Sequence, residues 1–236
     1  MNLSDQKWAA QASRDAGEPG VLTIEAFFDL ICPWCLIGKR NLDAAIARFA
    51  SSRPDVRVRV QWRSHQLLPW TPLEGMPYQA FYRDRLGSAE AVAARRAQVQ
   101  RAGRDAGVEF AFDRIEVLPN TAAAHDLVTF AASRGTREQS AALIDRLLKA
   151  YFMEGQNIGD YAVLERVGLE CGLERESLAA HIAASQRLAD PTGQRAPYAE
   201  PQVNGVPYFV FNTGYSLSGV YSPVAMAGAM ALAVAH

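Results

Sequence analysis

The sequence is poor in cysteine, with only Cys32, Cys35 and Cys171 in 236 residues. A chain of this length buries enough apolar surface to fold without covalent staples. Three thiols cannot form a disulfide framework, so a disulfide-dense secreted scaffold is excluded. An excess of either charge is missing as well. With 24 basic and 25 acidic side chains and a formal net charge of −1, the whole-chain electrostatics favour neither nucleic acid nor an anionic membrane surface. Long apolar runs are also absent. The most apolar stretch, Val224 to Ala235, has twelve residues, whereas a spanning helix needs about 20, and it reads as a buried terminal helix. The first twenty residues carry Asp5, Lys7, Arg14, Asp15 and Glu18 with no continuous apolar segment of the kind an export signal has, so the expected compartment is the reducing cytoplasm. Repeats and low-complexity tracts are lacking. What remains is an ordinary globular composition, 49% apolar and 21% charged, sized for one large domain or two small ones.

The chain opens, after an N-terminal extension over 1–20, with an α/β pattern. Val21 to Phe28 is dense in β-branched and aromatic residues between Gly20 and Asp29, and predicts a buried strand. Beyond Cys32-Pro33-Trp34-Cys35 the period changes: Leu42, Ala45, Ile46 and Phe49 fall at the spacing of a helix stripe. Arg53-Pro54-Asp55 marks a turn, after which Val56, Val58, Val60 and Trp62 alternate with Arg57, Arg59, Gln61 and Arg63 as in a second strand. This β-α-β unit implies parallel strands. The arginines of that strand read as a solvated edge.

From Gly75 to Asp190 no strand is expected, only helices. Ser88 caps one closed by Gly107, and Asn120 caps one bearing Ala124, Leu127, Val128 and Ala131 and ended by Gly135. Thr136 with Gln139 forms a capping box, and Asp160 opens a shorter helix. Val206 to Phe211 and Tyr215 to Leu217 read as two further strands around the turn at Asn212-Thr213-Gly214. Ser222-Pro223 starts the last helix. The organisation is thus a frame over 21–74 and 191–236 with an all-helical insertion over 75–190.

Chemistry concentrates at Cys32-x-x-Cys35, where a strand ends and a helix begins. The unpaired N–H groups and positive dipole end of the first helical turn favour negative charge at Cys32. This makes Cys32 the candidate attacking thiol and Cys35, one turn on, the resolving thiol. Pro33 suits the first helical position because it has no N–H to leave unpaired. The competing use of such a pair is half a zinc site, but the other ligands would have to come from Cys171 and four scattered histidines, none at finger spacing. Trp34 either stacks on a substrate or covers Cys35. His125 reads as a core or groove-edge histidine, and Cys171 as a free, partly buried thiol.

The stretch Phe28-Asp29-Leu30-Ile31-Cys32-Pro33-Trp34-Cys35-Leu36-Ile37-Gly38-Lys39 resembles the active-site segment of the DsbA-like thioredoxin superfamily, in particular its FrnE-like branch. Pro119-Asn120-Thr121 with Ala124-His125, and Ala150-Tyr151-Phe152 with Glu154-Gly155, resemble that branch's helical-insert signatures. Asn204 to Phe211 resembles its cis-proline strand. The resemblance runs from about Val21 to Ser222. It implies a thioredoxin fold with an inserted helical domain, acting as a thiol-disulfide oxidoreductase without a dissociable cofactor. Its partners would be protein or small-molecule thiols and disulfides, with glutathione or another low-molecular-weight thiol as co-substrate. It further implies a cis Pro207 against Cys32, with Pro33, Trp34 and Val206 as substrate contacts. Val206 would offer its backbone to an extended segment.

Three positions depart from the branch. Leu36 stands where it usually has Tyr, Gly219-Val220-Tyr221 replaces Gly-Ala-Gln, and Pro191 to Gln202 carries three prolines where relatives run a helix. Two alternatives have other chemistry. A glutathione-dependent isomerase of the 2-hydroxychromene-2-carboxylate type shares the architecture but typically has Ser at the first cysteine position and lacks the second. A non-catalytic peptide-binding or chaperone module would bind clients without either thiol.

Overall fold

The computed structural model describes residues 20–188, 198, 203–212 and 215–235. In chain order the elements are β1 (Val21–Phe28), α1 (Pro33–Ser52), β2 (Arg57–Ser64), β3 (Met76–Pro77), α2 (Tyr78–Leu86) and α3 (Ala89–Asp105). A 3-10 turn (Phe112–Arg114) and β4 (Val117–Leu118) follow, then α4 (Ala122–Arg134), α5 (Arg137–Phe152), α6 (Tyr161–Glu170) and α7 (Arg175–Leu188). The chain closes with β5 (Tyr208–Phe211), β6 (Tyr215–Ser218) and α8 (Pro223–Ala233). The broken-helix expectation for 191–202 lies outside the described residues except at Tyr198.

Four strands form a mixed sheet in the order β2-β1-β5-β6. β1 runs parallel to β2, with Val21 opposite Arg57 and Phe28 opposite Ser64, and antiparallel to β5, with Phe27 opposite Tyr208. The two central strands therefore come from opposite ends of the chain. The period-2 alternation of β1 puts Leu22, Ile24 and Ala26 on one face, where they meet Leu42, Ala45 and Phe49 of α1, Phe209 and Phe211 of β5, and Met226, Ala229 and Met230 of α8. A second, larger cluster centres on the helices between β2 and β5, and it takes in Phe28, Ile31, Cys35, Leu36 and Ile37 from the end of β1 and the start of α1. The segment carrying the cysteines thus lies at the seam of both cores. Lys39 also joins them. Its ammonium, on a side chain only 4% exposed, sits 2.9 Å from Asp43 and 2.9 Å from Asp145 of α5.

The segment between β2 and β5 is not purely helical. Met76 and Pro77 pair antiparallel with Leu118 and Val117, a ribbon of two-residue strands too short to produce alternation in the sequence. Gly75 makes it fit: its φ is +82°, and a Cβ there would meet Val117 Cγ1 at 2.5 Å and Leu118 O at 2.8 Å. Helix α2 follows the ribbon with no side-chain cap at its start, Pro77 being the N-cap, and stops at Gly87 in the left-handed conformation. The Asn120 cap is displaced by one residue: Thr121 is the capping residue of α4, but its hydroxyl makes no cap bond and accepts from Gln66 Nε2 at 3.4 Å, and Asn120 Oδ1 accepts the Ala122 N–H instead. The arginines of β2 are less solvated than a free edge. Arg63, 17% exposed, donates from Nε to Glu25 of β1 at 2.9 Å. Among the described residues no helix is long and apolar enough to cross a membrane.

Candidate active site

Strand β1 ends at Phe28 and the chain turns through Asp29-Leu30-Ile31 before α1 begins. Cys32 N–H donates to the Asp29 carbonyl at 3.2 Å and Cys35 N–H to the Cys32 carbonyl at 3.0 Å. Cys32 is the N-cap of α1, with extended backbone and no side-chain cap bond, and Pro33 occupies the first turn. The thiol therefore stands where the helix offers its unpaired N–H groups. Both cysteines are free thiols and both are buried, at 4% and 2% exposure. They lie close, at 3.2 Å, with a side-chain hydrogen bond between them. Cys32 lines a cavity.

The loop before β5 comes to the same point. The Val206–Pro207 peptide bond is cis, and Cys32 Sγ donates to the Val206 carbonyl at 3.6 Å. Pro207 rests on α1 at Gly38, where an added Cβ would lie 3.0 Å from Pro207 Cγ and 3.3 Å from Phe209 Cζ. A side chain at position 38 would crowd Pro207 and Phe209, which would have to give by a few tenths of an ångström. The cysteines, Val206 and Pro207, 174 residues apart in sequence at the thiol-carbonyl contact, are thus neighbours across β1 and β5.

Cys32, Pro33, Trp34 and Val206 face a cavity of about 590 Å³ whose other walls come from the β2–β3 loop, α2 and α3. Trp34 lies in its wall with the guanidinium of Arg95 5.6 Å above its ring. Leu67, Trp70, Phe81 and Val99 give the cavity an apolar floor.

Behind the thiols lies a pair of groups that the sequence reading left without a joint role. The Asp29 and His125 side chains are completely buried, and His125 Nε2 is 3.1 Å from Asp29 Oδ1. The second carboxylate oxygen accepts the Leu67 N–H at 2.7 Å. The signal was present: Asp29 is the single charge in the apolar run Val21-to-Ile31 beyond Glu25, and apolar runs keep a carboxylate only where it is bonded. Asn120 is structural, donating to the Thr71 carbonyl and accepting from Ala122. Cys171 caps the C-terminus of α6 as a half-buried thiol. Among the described residues no group of three or more His, Cys, Asp or Glu side chains is placed to hold a metal ion.

Burial pushes the Cys35 thiol well up, the hydrogen bond and charge of Cys32 push it further, the Asp29 carboxylate adds to this, and a backbone hydrogen bond from Asp29 opposes it. Tyr82, in the cavity wall, is pushed up to about 12, mainly by burial and then by the Cys32 charge, and Tyr151 is raised well above its ordinary range by burial. In the unfolded chain these groups ionise at ordinary values, about 8.5 for cysteine and 10 for tyrosine. At alkaline pH the folded state therefore holds more protons than the unfolded one. The resulting stability is complete below about pH 8.5 and is lost as pH rises through the folded-state values. The urea midpoint of the reduced protein should accordingly decline from about pH 9 upward and keep falling through pH 12. A midpoint constant between pH 8 and 11 would contradict the burial of these groups.

The model of the DSBA-like thioredoxin domain family matches residues 23–231. The chain belongs to that family. Among solved structures, this DSBA-like chain is similar to a probable DsbA oxidoreductase from Streptomyces coelicolor, with 22% identity, 91% of each chain covered and a TM-score of 0.74. It is also similar to the cytosolic disulfide reductase DsbM from Pseudomonas aeruginosa, solved with glutathione, with 20% identity, 90% of this chain and 96% of that one covered, and a TM-score of 0.51. Among curated proteins it matches the uncharacterized protein YwbO of Bacillus subtilis (strain 168), 26% identical over 190 residues that cover 79% of this chain and 85% of the relative. The fold is thus the DsbA type, a thioredoxin frame with helices inserted between its strands.

Proposed function

We propose that the protein is a cytoplasmic dithiol-disulfide oxidoreductase of the FrnE-like branch, working through Cys32 and Cys35 on protein or small-molecule disulfides with glutathione or another low-molecular-weight thiol as co-substrate. The observation that carries this reading is the pair itself. Two free thiols lie in contact at a helix N-terminus, one of them lining a cavity and facing the Val206 carbonyl. That Pseudomonas aeruginosa's DsbM has been solved with glutathione agrees with a small thiol as co-substrate.

The chemistry balances without a cofactor. The Cys32 thiolate attacks one sulfur of a disulfide R–S–S–R, forms a Cys32–S–S–R bond and releases one R–S⁻, which takes up a proton. Cys35 then gives up its proton and attacks the Cys32 sulfur, releasing the second R–S⁻ and leaving a Cys32–Cys35 disulfide. Two electrons pass from the protein to the substrate, and two molecules of a low-molecular-weight thiol restore the dithiol. Pro33, Trp34 and Val206 border the attacked position, and Pro207 fixes the Val206 carbonyl beside Cys32. The test is a disulfide-exchange assay with reduced glutathione as electron donor. Turnover should be first-order in protein and should vanish after alkylation of the reduced thiols. Rates equal to the protein-free reaction would sink the proposal.

A further inference from the structure

The cavity beside Cys32 has an uneven charge. Three guanidinium groups, those of Arg85, Arg95 and Arg96, line it, and among the described residues no acidic side chain does. Their bonding leaves this charge largely uncompensated. Arg85 lies over the Phe81 ring at 5.9 Å, and Arg95 lies over Trp34 while donating to Gln98. Neither has a carboxylate within salt-bridge distance among the described residues. Arg96 is held between the Tyr78 and Phe112 rings, and its ion partner Asp113, 3.7 Å away, is 99% exposed, so solvent screens that pair. Stacking on the rings fixes the direction of the guanidinium planes; Arg95 gives one N–H to Gln98, and Arg96 donates from Nη2 to Gln79 at 2.6 Å, so these bonds are to neutral amides that leave the positive charge in place. Arg95 is the best placed, since the ring beneath it belongs to the residue between Pro33 and Cys35.

We propose that Arg85, Arg95 and Arg96 make this cavity selective for low-molecular-weight disulfides and thiols that carry carboxylates. This rests on the oxidoreductase reading above. The occupant must bring sulfur to Cys32 and negative charge to the arginines, and its body must fit about 590 Å³, a volume in the range of small-ligand sites. A short peptide thiol with free carboxylates meets all three conditions. Its sulfur lies at Cys32, its carboxylates meet the guanidinium edges, and its backbone lies on Leu67, Trp70 and Phe81. Bidentate bonding to carboxylate is the geometry in which arginine gives selectivity as well as affinity.

The experiment has two arms. In the first, the reduced protein is mixed with glutathione disulfide, neutral hydroxyethyl disulfide or cationic cystamine as the oxidant, and the second-order rate constant for oxidation of its dithiol is measured for the wild type, Arg85→Gln/Arg95→Gln, Arg95→Gln and Arg95→Lys. The wild type should prefer the anionic disulfide over the cationic one by about tenfold or more at low ionic strength, with the preference shrinking as salt is added. The double variant should lose about tenfold in the anionic-to-neutral ratio, and Arg95→Lys should keep more of that ratio than Arg95→Gln, since it keeps charge while losing the fork. An unchanged ratio in the double variant overturns the proposal. In the second arm, calorimetry compares S-methylglutathione, which cannot exchange, with its dimethyl ester. Weaker binding of the ester supports the carboxylate contacts, and equal binding counts against them. The two readings can therefore fail separately. Charge-dependent binding without turnover removes the oxidoreductase assignment, and turnover without charge preference removes the arginine assignment.

Discussion

Replacing Cys32 by Ser should lower thiol-disulfide exchange by roughly 10³-fold or more, because a hydroxyl at neutral pH supplies almost no anion to attack a disulfide. Cys35→Ser should behave differently. Attack by Cys32 remains, so a mixed disulfide with the substrate thiol should accumulate and be visible as an added glutathionyl mass on Cys32. On the proposed mechanism, the surroundings of Cys35 also supply a reason for the second step to follow the first. Two of the causes that hold the Cys35 proton, the hydrogen bond to Cys32 and the charge of Cys32, exist only while Cys32 is reduced. Once Cys32 is in a mixed disulfide both are gone and burial remains as the main obstacle, so Cys35 becomes easier to ionise when its target is in place. The rate of resolution should therefore rise with pH over a range below the one in which Cys35 ionises in the fully reduced protein. Stopped-flow release of the second thiol measures the former, and thiolate absorbance measures the latter. A resolution rate independent of pH, or a Cys35→Ser protein with no trapped adduct, would overturn the assigned roles.

How far the sequence led can be read at particular residues. The strand Val21–Phe28 agrees residue for residue with expectation, and so does the capping box at Thr136 and Gln139, because each is a local pattern with a local cause. The Cys32 cap position was legible for the same reason. What escaped was placed by tertiary contact. The β3–β4 ribbon depends on a pairing 42 residues apart, Met76 with Leu118, which leaves no periodic trace in two-residue strands. Arg85, Arg95 and Arg96 look like the solvated faces of two helices, and only the tertiary placement of α2 and α3 brings them to the cavity that Cys32 also lines. Asp29 was visible within the motif, but its partner His125 lies 96 positions away, and nothing in the spacing joins them. The charge-neutral composition likewise hid a local asymmetry, since three guanidiniums in one cavity disappear in a balanced total.

Asp29→Ala should be the most destabilising substitution at the site. The carboxylate is fully buried and serves two donors, the His125 ring and the Leu67 N–H, while its peptide carbonyl receives the Cys32 N–H. Removing it leaves a buried imidazole and a backbone N–H without partners, a loss of about 3–5 kcal/mol on the scale of broken buried pairs. Total stability for a domain is on the order of 5–15 kcal/mol, so the variant would stand near its unfolding threshold. Asp29→Asn offers a control. Its carbonyl can still accept from Leu67 and its amide can donate to His125 Nε2, at the cost of moving the imidazole proton to Nδ1, which has no partner among the described residues. It should fall between wild type and Ala. The decisive comparison is Asp29→Leu with His125→Leu. Each alone strands the other group, but together they replace a polar pair by apolar side chains, which buried sites often tolerate at little net cost. Urea unfolding should thus give a double variant more stable than the sum of the two single changes predicts, with a coupling of about 1–3 kcal/mol. Additive losses would mean that the two groups do not stabilise each other. The same variants separate support from chemistry. Because the Asp29 carboxylate adds to the charge that keeps Cys35 protonated, while the peptide carbonyl that receives the Cys32 N–H is the same in Asn, Asp29→Asn should lower the pH at which Cys35 ionises even where the fold is kept.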